Sequence, residues 1–260
     1  MILQKPTTET TITWEPLPDD FVLPDDPVEN IQQPPLAAAL TDALGAAERI
    51  QPDMLIGSNF GLVATVNKKT VVKAPDWFYV PHAQLVPPDV IRRSYTPHLE
   101  GDAIAVVMEF LSQEDNGELS VRSTPPYGKL YFYEQILQVP TYVTYDPHEP
   151  SLEVRYLEAG KYVLQRGDTN GRYWIPQLEL FLGIWYGERL RQTTNWLRWW
   201  DMAENLLLWS AEQAEQQRQR AEQERQRAEQ ERQRAEQERQ RAELLAAKLR
   251  ELGVEPDALS

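Results

Sequence analysis

Two acidic residues stand beside apolar stretches of this 260-residue chain, where a charge is costly unless it is compensated. Asp76 follows Pro75 and opens the predicted strand Trp77–Val80. Glu109 lies inside the run AIAVVMEFL (103–111), which is typical of a strand covered on both faces. A buried glutamate needs an ion pair or a bound cation. Carboxylates from neighbouring strands bind Mg²⁺, which can activate water and stabilise charge on a phosphate.

Short strands and two helices are predicted around these acids. The apolar spacing of residues 36–50 predicts a helix with one buried face, and the period of Tyr127–Gln138 predicts a second helix. Residues 112–126 are polar and predict a loop. Further strands are predicted at Met54–Ile56, Leu62–Val66, Thr70–Lys73, Thr141–Tyr145, Leu152–Glu158 and Lys161–Gln165, with one or more closing strands in Arg172–Trp185.

The order of these motifs resembles the PD-(D/E)xK nuclease superfamily: Pro75-Asp76, then Glu109 near the end of an apolar strand, then a helix carrying Lys129. More closely, the chain resembles the Uma-two family of bacterial restriction-endonuclease-like proteins. The matching stretches are APDWFYVP, AVVMEFLS, PPYGKLYFYEQILQVPTYVTYDP, WIPQLELFLGIW and the AEQERQR tail, over roughly residues 25–245. The resemblance implies an α/β (α+β) fold, with a restriction-endonuclease-like mixed β-sheet core flanked by helices and followed by a long charged helix.

The resemblance also implies roles for individual residues. Asp76 and Glu109 are the implied ligands of Mg²⁺ or Mn²⁺. The family's motif lysine falls at position 111, where this chain has Leu111, and the resemblance implies that Lys129 replaces it from the next helix. Lys129 would then hold the attacking water or stabilise the developing negative charge.

Three further residues are candidates for supporting roles. Tyr133 lies four residues after Lys129 and shares its helical face. Glu29 precedes the first predicted helix and is a candidate for an added metal ligand. Gln113, two residues beyond Leu111, is a candidate for pointing into the same site.

Each central residue also has a purely structural alternative. Asp76 after a proline is typical of a turn cap. Glu109 could form a structural ion pair with a distant cation such as Lys129. A single helical lysine is commonly a solvated surface residue.

Charge and composition limit the function classes. Apolar residues make up 42% of the chain, which indicates a folded core, and there is no cysteine for a disulfide or a thiolate metal site. Residues 1–210 carry 16 Lys and Arg against 28 Asp and Glu, an acidic balance that argues against tight non-specific binding to nucleic acid. Neither a signal peptide nor a membrane span is predicted, so a cytoplasmic location is expected.

The last third of the chain combines a tryptophan-rich stretch with a repeat. Asn195–Trp209 is predicted to dock on the body, with Trp196, Trp199 and Trp200 as helix-docking core and not a base-stacking platform. Residues 214–241 comprise AEQQRQR and three copies of AEQERQR. With one small apolar residue per heptad, the repeat predicts a solvated helix or a weak coiled coil.

Two functions fit these observations. The first is a metal-dependent endonuclease that hydrolyses phosphodiester bonds of nucleic acid, most simply DNA. The second is a catalytically degenerate nuclease-fold protein that acts as a binding or assembly module, through a homodimer or a protein partner for its helix. The predicted organisation is an extended arm over 1–35, the nuclease-like domain over 36–210 and the charged helix over 211–260.

Overall fold

Three β-sheets and three helices form the part of the chain that the structure describes, and their bounds follow the apolar pattern of the sequence. The computed structural model describes residues 10–18, 20–21, 31–87, 89–112 and 119–251. The elements are β1 (Ile12–Thr13), α1 (Gln33–Ala46), β2 (Leu55–Gly57), β3 (Gly61–Val66), β4 (Lys69–Lys73), β5 (Trp77–Val80), β6 (Ser94–Tyr95), β7 (Val106–Phe110), α2 (Lys129–Tyr131, continued by a π-helical turn over Phe132–Ile136), β8 (Thr141–Asp146), β9 (Ser151–Glu158), β10 (Lys161–Leu164), β11 (Tyr173–Ile175), β12 (Leu180–Arg189), β13 (Gln192–Trp200) and α3 (Ser210–Glu251).

The central sheet has six strands in the order β10-β9-β8-β7-β5-β2. The β7–β8 pair is parallel and the other neighbours are antiparallel, so the sheet is mixed. Every residue of β7 is buried, as its continuous apolar run predicts for a strand covered on both faces. Trp77 pairs with Met108 across β5 and β7. If this pairing is continued by one residue, Asp76 lies opposite Glu109.

Two smaller sheets complete the body. Strands β1, β3 and β4 form one of them, with β6 paired to β3, and β11, β12 and β13 form the other. One apolar cluster joins α1, the central sheet and the β11–β13 sheet. The other apolar cluster joins the β3–β4 hairpin, the central sheet and the π-helical turn. The central sheet therefore has an apolar cluster on each face.

Indole N–H groups fix α1 in place. Trp77 donates to the Thr41 hydroxyl at 3.0 Å, Trp199 donates to Leu40 O at 3.1 Å and Trp209 donates to Ala39 O at 3.0 Å. All three tryptophan side chains are buried. Because these bonds satisfy polar groups inside the core, they hold the helix in one register against the sheets.

The structure differs from the sequence-based expectations in three segments. Asn195–Trp209, predicted only to dock on the body, contains the end of strand β13 followed by irregular chain, and its tryptophans are buried as predicted. Residues 196–200 are buried on both faces, with Arg198 stacked on Trp209, so no period distinguishes strand from helix there. The helix predicted over Tyr127–Gln138 is limited to residues 129–136, and helix α1 begins at Gln33, inside the predicted arm.

The chain divides into two compact units, Met1–Trp209 and Ser210–Ser260. The 42-residue helix α3 has no buried residue, as its charged repeat predicts. Pairs such as Glu222–Arg225 and Glu236–Arg239 line it at a spacing of three residues, which supports an isolated helix. Over the described residues, no helix is long and apolar enough to cross a membrane.

Candidate active site

Asp76 and Glu109 meet at the end of the central sheet. The Phe110 backbone N–H donates to Asp76 Oδ2 at 2.5 Å, which fixes the first carboxylate beside β7. The Asp76 and Glu109 carboxyl groups lie close enough for Glu109 to raise the pKa of Asp76, and a proton on Asp76 favours their contact. The Asn59 N–H donates to Pro75 O at 2.9 Å and holds the chain that leads into Asp76. Two acids 33 positions apart in sequence thus share one site.

Glu109 is fully buried and binds two further side chains. Lys129 Nζ lies 3.1 Å from Glu109 Oε2, and the Tyr133 hydroxyl donates to Glu109 Oε1 at 2.7 Å. The Lys129 side chain is only 17% exposed, so its amine points into the site and not to solvent. Lys129 and Tyr133 therefore share one face of the helix and close the site from the side opposite the sheet.

The start of α2 depends on a close backbone approach at Gly128. The Gly128 N–H donates to Arg122 O at 2.9 Å, and the Phe132 N–H donates to Gly128 O at 2.9 Å. A Cβ on Gly128 would overlap the carbonyl of Ser120. From Phe132 the helix widens to π geometry, with the Leu137 N–H donating to Phe132 O. Such wide turns re-aim side chains and are frequent at functional sites.

A Gly128→Ala substitution is therefore expected to displace the first turn of α2. We expect cleavage to fall by about 10-fold or more, because an ångström-scale shift of the Lys129 amine is enough to lower a rate this far. The melting temperature should fall as well, because the added Cβ meets backbone atoms of Ser120, which cannot move aside as a flexible side chain can. Gly160→Ala is the matched control, because a Cβ there meets nothing within 4 Å. Its own positive φ, +79°, predicts a cost in stability without a loss of cleavage. Unchanged cleavage by Gly128→Ala would contradict this account of the helix start.

The buried carboxyl pair shifts two pKa values. Burial and the neighbouring Glu109 raise the pKa of Asp76 to about 8, against the opposing effects of the Phe110 N–H and Lys129. Burial, with the charge of Glu109, also raises the pKa of Tyr133 well above its usual value, so its hydroxyl stays protonated and donates to Glu109. Asp76 therefore keeps its proton at neutral pH, while Lys129 pairs with Glu109.

A cleft of about 260 Å³ leads to this site. Asp76 lines the cleft together with Gln33, Pro34, Ala37, Ser58 and Asn59, whereas Glu109 lies behind it. Gln33 is buried, and its Nε2 donates to Phe110 O at 2.6 Å. Gln33 is not among the residues predicted from the sequence. A glutamine just before two prolines at a helix start is the only local signal, and it is a weak one.

The remaining predicted residues have different outcomes. Leu111 follows β7, and its N–H donates to Tyr145 O at 2.8 Å. Because leucine carries no amine, Lys129 is the one predicted residue that brings an amine to this site. Glu29 and Gln113 both lie outside the described residues. Their suggested roles therefore stay predictions.

The residues present fit a hard divalent cation. Two adjacent carboxyl groups supply oxygen ligands, and burial together with the neighbouring Glu109 raises the pKa of Asp76, so a bound cation would favour its charged form. Within the described ranges, no group of three or more His, Asp or Glu side chains gathers as a metal site. Mg²⁺ commonly takes one or two carboxylates and completes its shell with water, so a pair suffices.

The fold and site define a restriction-endonuclease-like α+β protein whose paired acids come from neighbouring strands, as the sequence predicts. The family model Uma2, described as "Putative restriction endonuclease", matches residues 28–191, and the chain belongs to this family. This match confirms the expected family. The matched span contains Asp76, Glu109, Lys129 and Tyr133. Among curated proteins, none matches the chain.

Proposed function

We propose that this protein is a metal-dependent endonuclease that hydrolyses phosphodiester bonds of nucleic acid, with DNA as its substrate. The observation that carries the proposal is the convergence of Asp76, Glu109 and Lys129 from two strands and a helix on one site. A Lys129 side chain that pointed to solvent would have weakened the proposal, but this side chain points into the site. Membership of a family described as restriction endonucleases supports the same activity.

Each residue has a distinct part in the proposed reaction. Asp76 and Glu109 hold Mg²⁺ or Mn²⁺, which supplies an activated water and offsets charge on the phosphate. Lys129 places a positive charge where negative charge develops on the phosphate oxygens. Tyr133 donates to one oxygen of Glu109 and fixes its orientation. Gln33 holds the Phe110 carbonyl, and thereby the strand end that orients Asp76.

Cleavage assays test this proposal directly. Purified protein is incubated with plasmid DNA, single-stranded DNA and RNA, each in Mg²⁺, in Mn²⁺ or in EDTA. The expected result is cutting of DNA in Mg²⁺ or Mn²⁺ and none in EDTA. Asp53→Asn is the matched carboxylate control for Asp76→Asn, since the Asp53 side chain is half-exposed and bonds His82. Cutting that persists in EDTA, or no cutting of any substrate, would contradict the proposal.

A binding or assembly module is the second candidate, and helix α3 favours it. Its 42 described residues, all outside any core, would extend roughly 60 Å at 1.5 Å per residue. Leu244 and Leu245 near its C-terminal end are exposed, which suits pairing with a second copy or a protein partner. If no substrate is cut, sedimentation of the full chain beside a chain ending at Trp209 tests whether α3 mediates association.

A further inference from the structure

A separate cleft of about 480 Å³ lies against the β3–β4 hairpin. We call it the basic cleft, because Lys69 and Lys73 line it together with Phe21, Pro126 and Tyr127, and among the described residues no Asp or Glu does. Lys69 and Lys73 are four residues apart on β4, so they share one side of the strand, ~13 Å apart. Two positive charges at this spacing can contact two phosphates of one strand.

The charge of this surface opposes that of the body around it. Residues 1–210 carry 28 acidic residues against 16 basic ones, yet the stretch 54–75 contains three lysines and no acid. Two arginines lie at the edge of the basic cleft: Arg93 Nη2 donates to Phe21 O at 3.2 Å, and Arg122 Nη2 donates to Pro125 O at 2.9 Å. A local positive surface on an acidic protein attracts a polyanion to that place and disfavours it elsewhere.

The basic cleft adjoins the candidate active site along the chain. Tyr127 lines the cleft and precedes Lys129 by two residues, which span at most ~7 Å. The Tyr127 and Tyr131 rings stack at 5.8 Å, and Tyr127 packs in the same apolar cluster as Tyr133. A strand lying in the cleft would therefore pass close to the amine that faces Glu109.

We propose that the basic cleft holds the phosphate backbone of a nucleic-acid strand and directs it to Lys129. The direction toward Lys129 rests on the proposed nuclease function, whereas binding in the cleft needs no cleavage. Phosphate contacts by lysine supply affinity without reading sequence. The proposal also accounts for an acidic nuclease that binds its substrate, since one basic surface is enough for contact.

The test compares the full chain with a Lys69→Gln/Lys73→Gln variant. Binding to a fluorescent DNA strand and to the corresponding duplex is measured by anisotropy in EDTA, over a series of salt concentrations. We expect affinity at low salt to fall about 10-fold or more, and the slope of log affinity against log salt to fall by about 1 to 2. Lys69→Arg/Lys73→Arg should keep most of the affinity. Arg166→Gln/Lys248→Gln removes the same charge from elsewhere and should bind like the wild type.

The outcomes separate this inference from the proposed function. If the wild type cuts DNA while the Lys69→Gln/Lys73→Gln variant binds as tightly as the Arg166→Gln/Lys248→Gln control, the inference is overturned and the function stands. If binding is lost in the lysine variant but the wild type cuts nothing, binding in the basic cleft stands, whereas the proposed function and the direction toward Lys129 fail. A wild type that binds no nucleic acid at low salt would overturn the inference outright.

Discussion

Replacing Asp76 with asparagine is expected to abolish cleavage and, in the metal-free protein at pH 8, to raise stability. Cleavage should fall on the order of 10³-fold, because the variant loses a charged ligand of the cation. Stability should rise because asparagine is neutral, while its side chain can still accept from the Phe110 N–H and donate to Glu109. The expected gain is on the order of 1–3 kcal/mol.

The pH dependence of this gain follows from the pKa of Asp76. The folded pKa of about 8 lies above the ordinary aspartate value of 3.8, so between these values the folded protein keeps a proton that the unfolded chain releases. The contribution of Asp76 to stability is therefore complete below about pH 4 and is lost as pH rises toward 8. The asparagine variant lacks this titration, so its advantage should be absent near pH 4 and largest near pH 8.

Denaturant unfolding of the two proteins in EDTA at pH 4, 6 and 8 measures this effect. Asp53→Asn is the matched control: the pKa of Asp53 is lowered, chiefly by its hydrogen bond from His82, so its removal should not stabilise the protein as pH rises. An Asp76→Asn protein that is less stable than the wild type at pH 8, or that still cuts DNA, would refute the assignment of Asp76.

The second large effect is expected at Lys129. Lys129→Met keeps the length of the side chain and removes the charge, leaving Glu109 fully buried with Tyr133 as a remaining donor. Breaking a buried ion pair from one side commonly costs about 3–5 kcal/mol. Cleavage should fall roughly 10²- to 10³-fold, because the charge that faces the phosphate is lost.

A second lysine–glutamate pair provides the control. Lys161 lies 3.0 Å from Glu134, but its side chain is 72% exposed, so Lys161→Met should cost less than about 1 kcal/mol and leave cleavage intact. Adding Glu109→Gln to Lys129→Met removes the uncompensated charge and should restore part of the stability without restoring cleavage. Equal costs for the two lysine variants would show that the Lys129 pair is an ordinary surface contact.

The two lysine–glutamate pairs show why the sequence alone suggests the site but does not distinguish it from a structural ion pair. Glu109 was identifiable because a glutamate inside an apolar strand is costly, and the resemblance to a nuclease family pointed to Asp76 and Lys129. Glu134 is also buried, but the Tyr162 N–H and Lys161 satisfy it. Although burial works to raise the pKa of Glu134, these bonds hold it below its usual value. Hydrogen bonds and ion pairs from groups distant in sequence cannot be predicted from the residues next to Glu134.

In the fold as well, some elements are predicted by the local residue types and others depend on contacts with distant residues. Strand β5, predicted over Trp77–Val80, is found with the predicted bounds because four consecutive β-formers follow a proline and an aspartate. Strand β13 was missed because its residues 196–200 are buried on both faces, which removes the alternation that marks a strand. Gln33 was missed for a related reason: its partner, the Phe110 carbonyl, lies 77 residues away.

Manganese binding tests the central claim most directly, because the proposed nuclease mechanism needs a divalent cation, for which Asp76 and Glu109 would be the ligands. Titration of the full chain with Mn²⁺, followed by electron paramagnetic resonance of the free ion, should show one site that tightens between pH 6 and pH 8 as the proton leaves Asp76. Asp76→Asn and Glu109→Gln should each lose this site, while Asp53→Asn should retain it. A wild type that binds no Mn²⁺, or a site that survives in both active-site variants, would contradict the account.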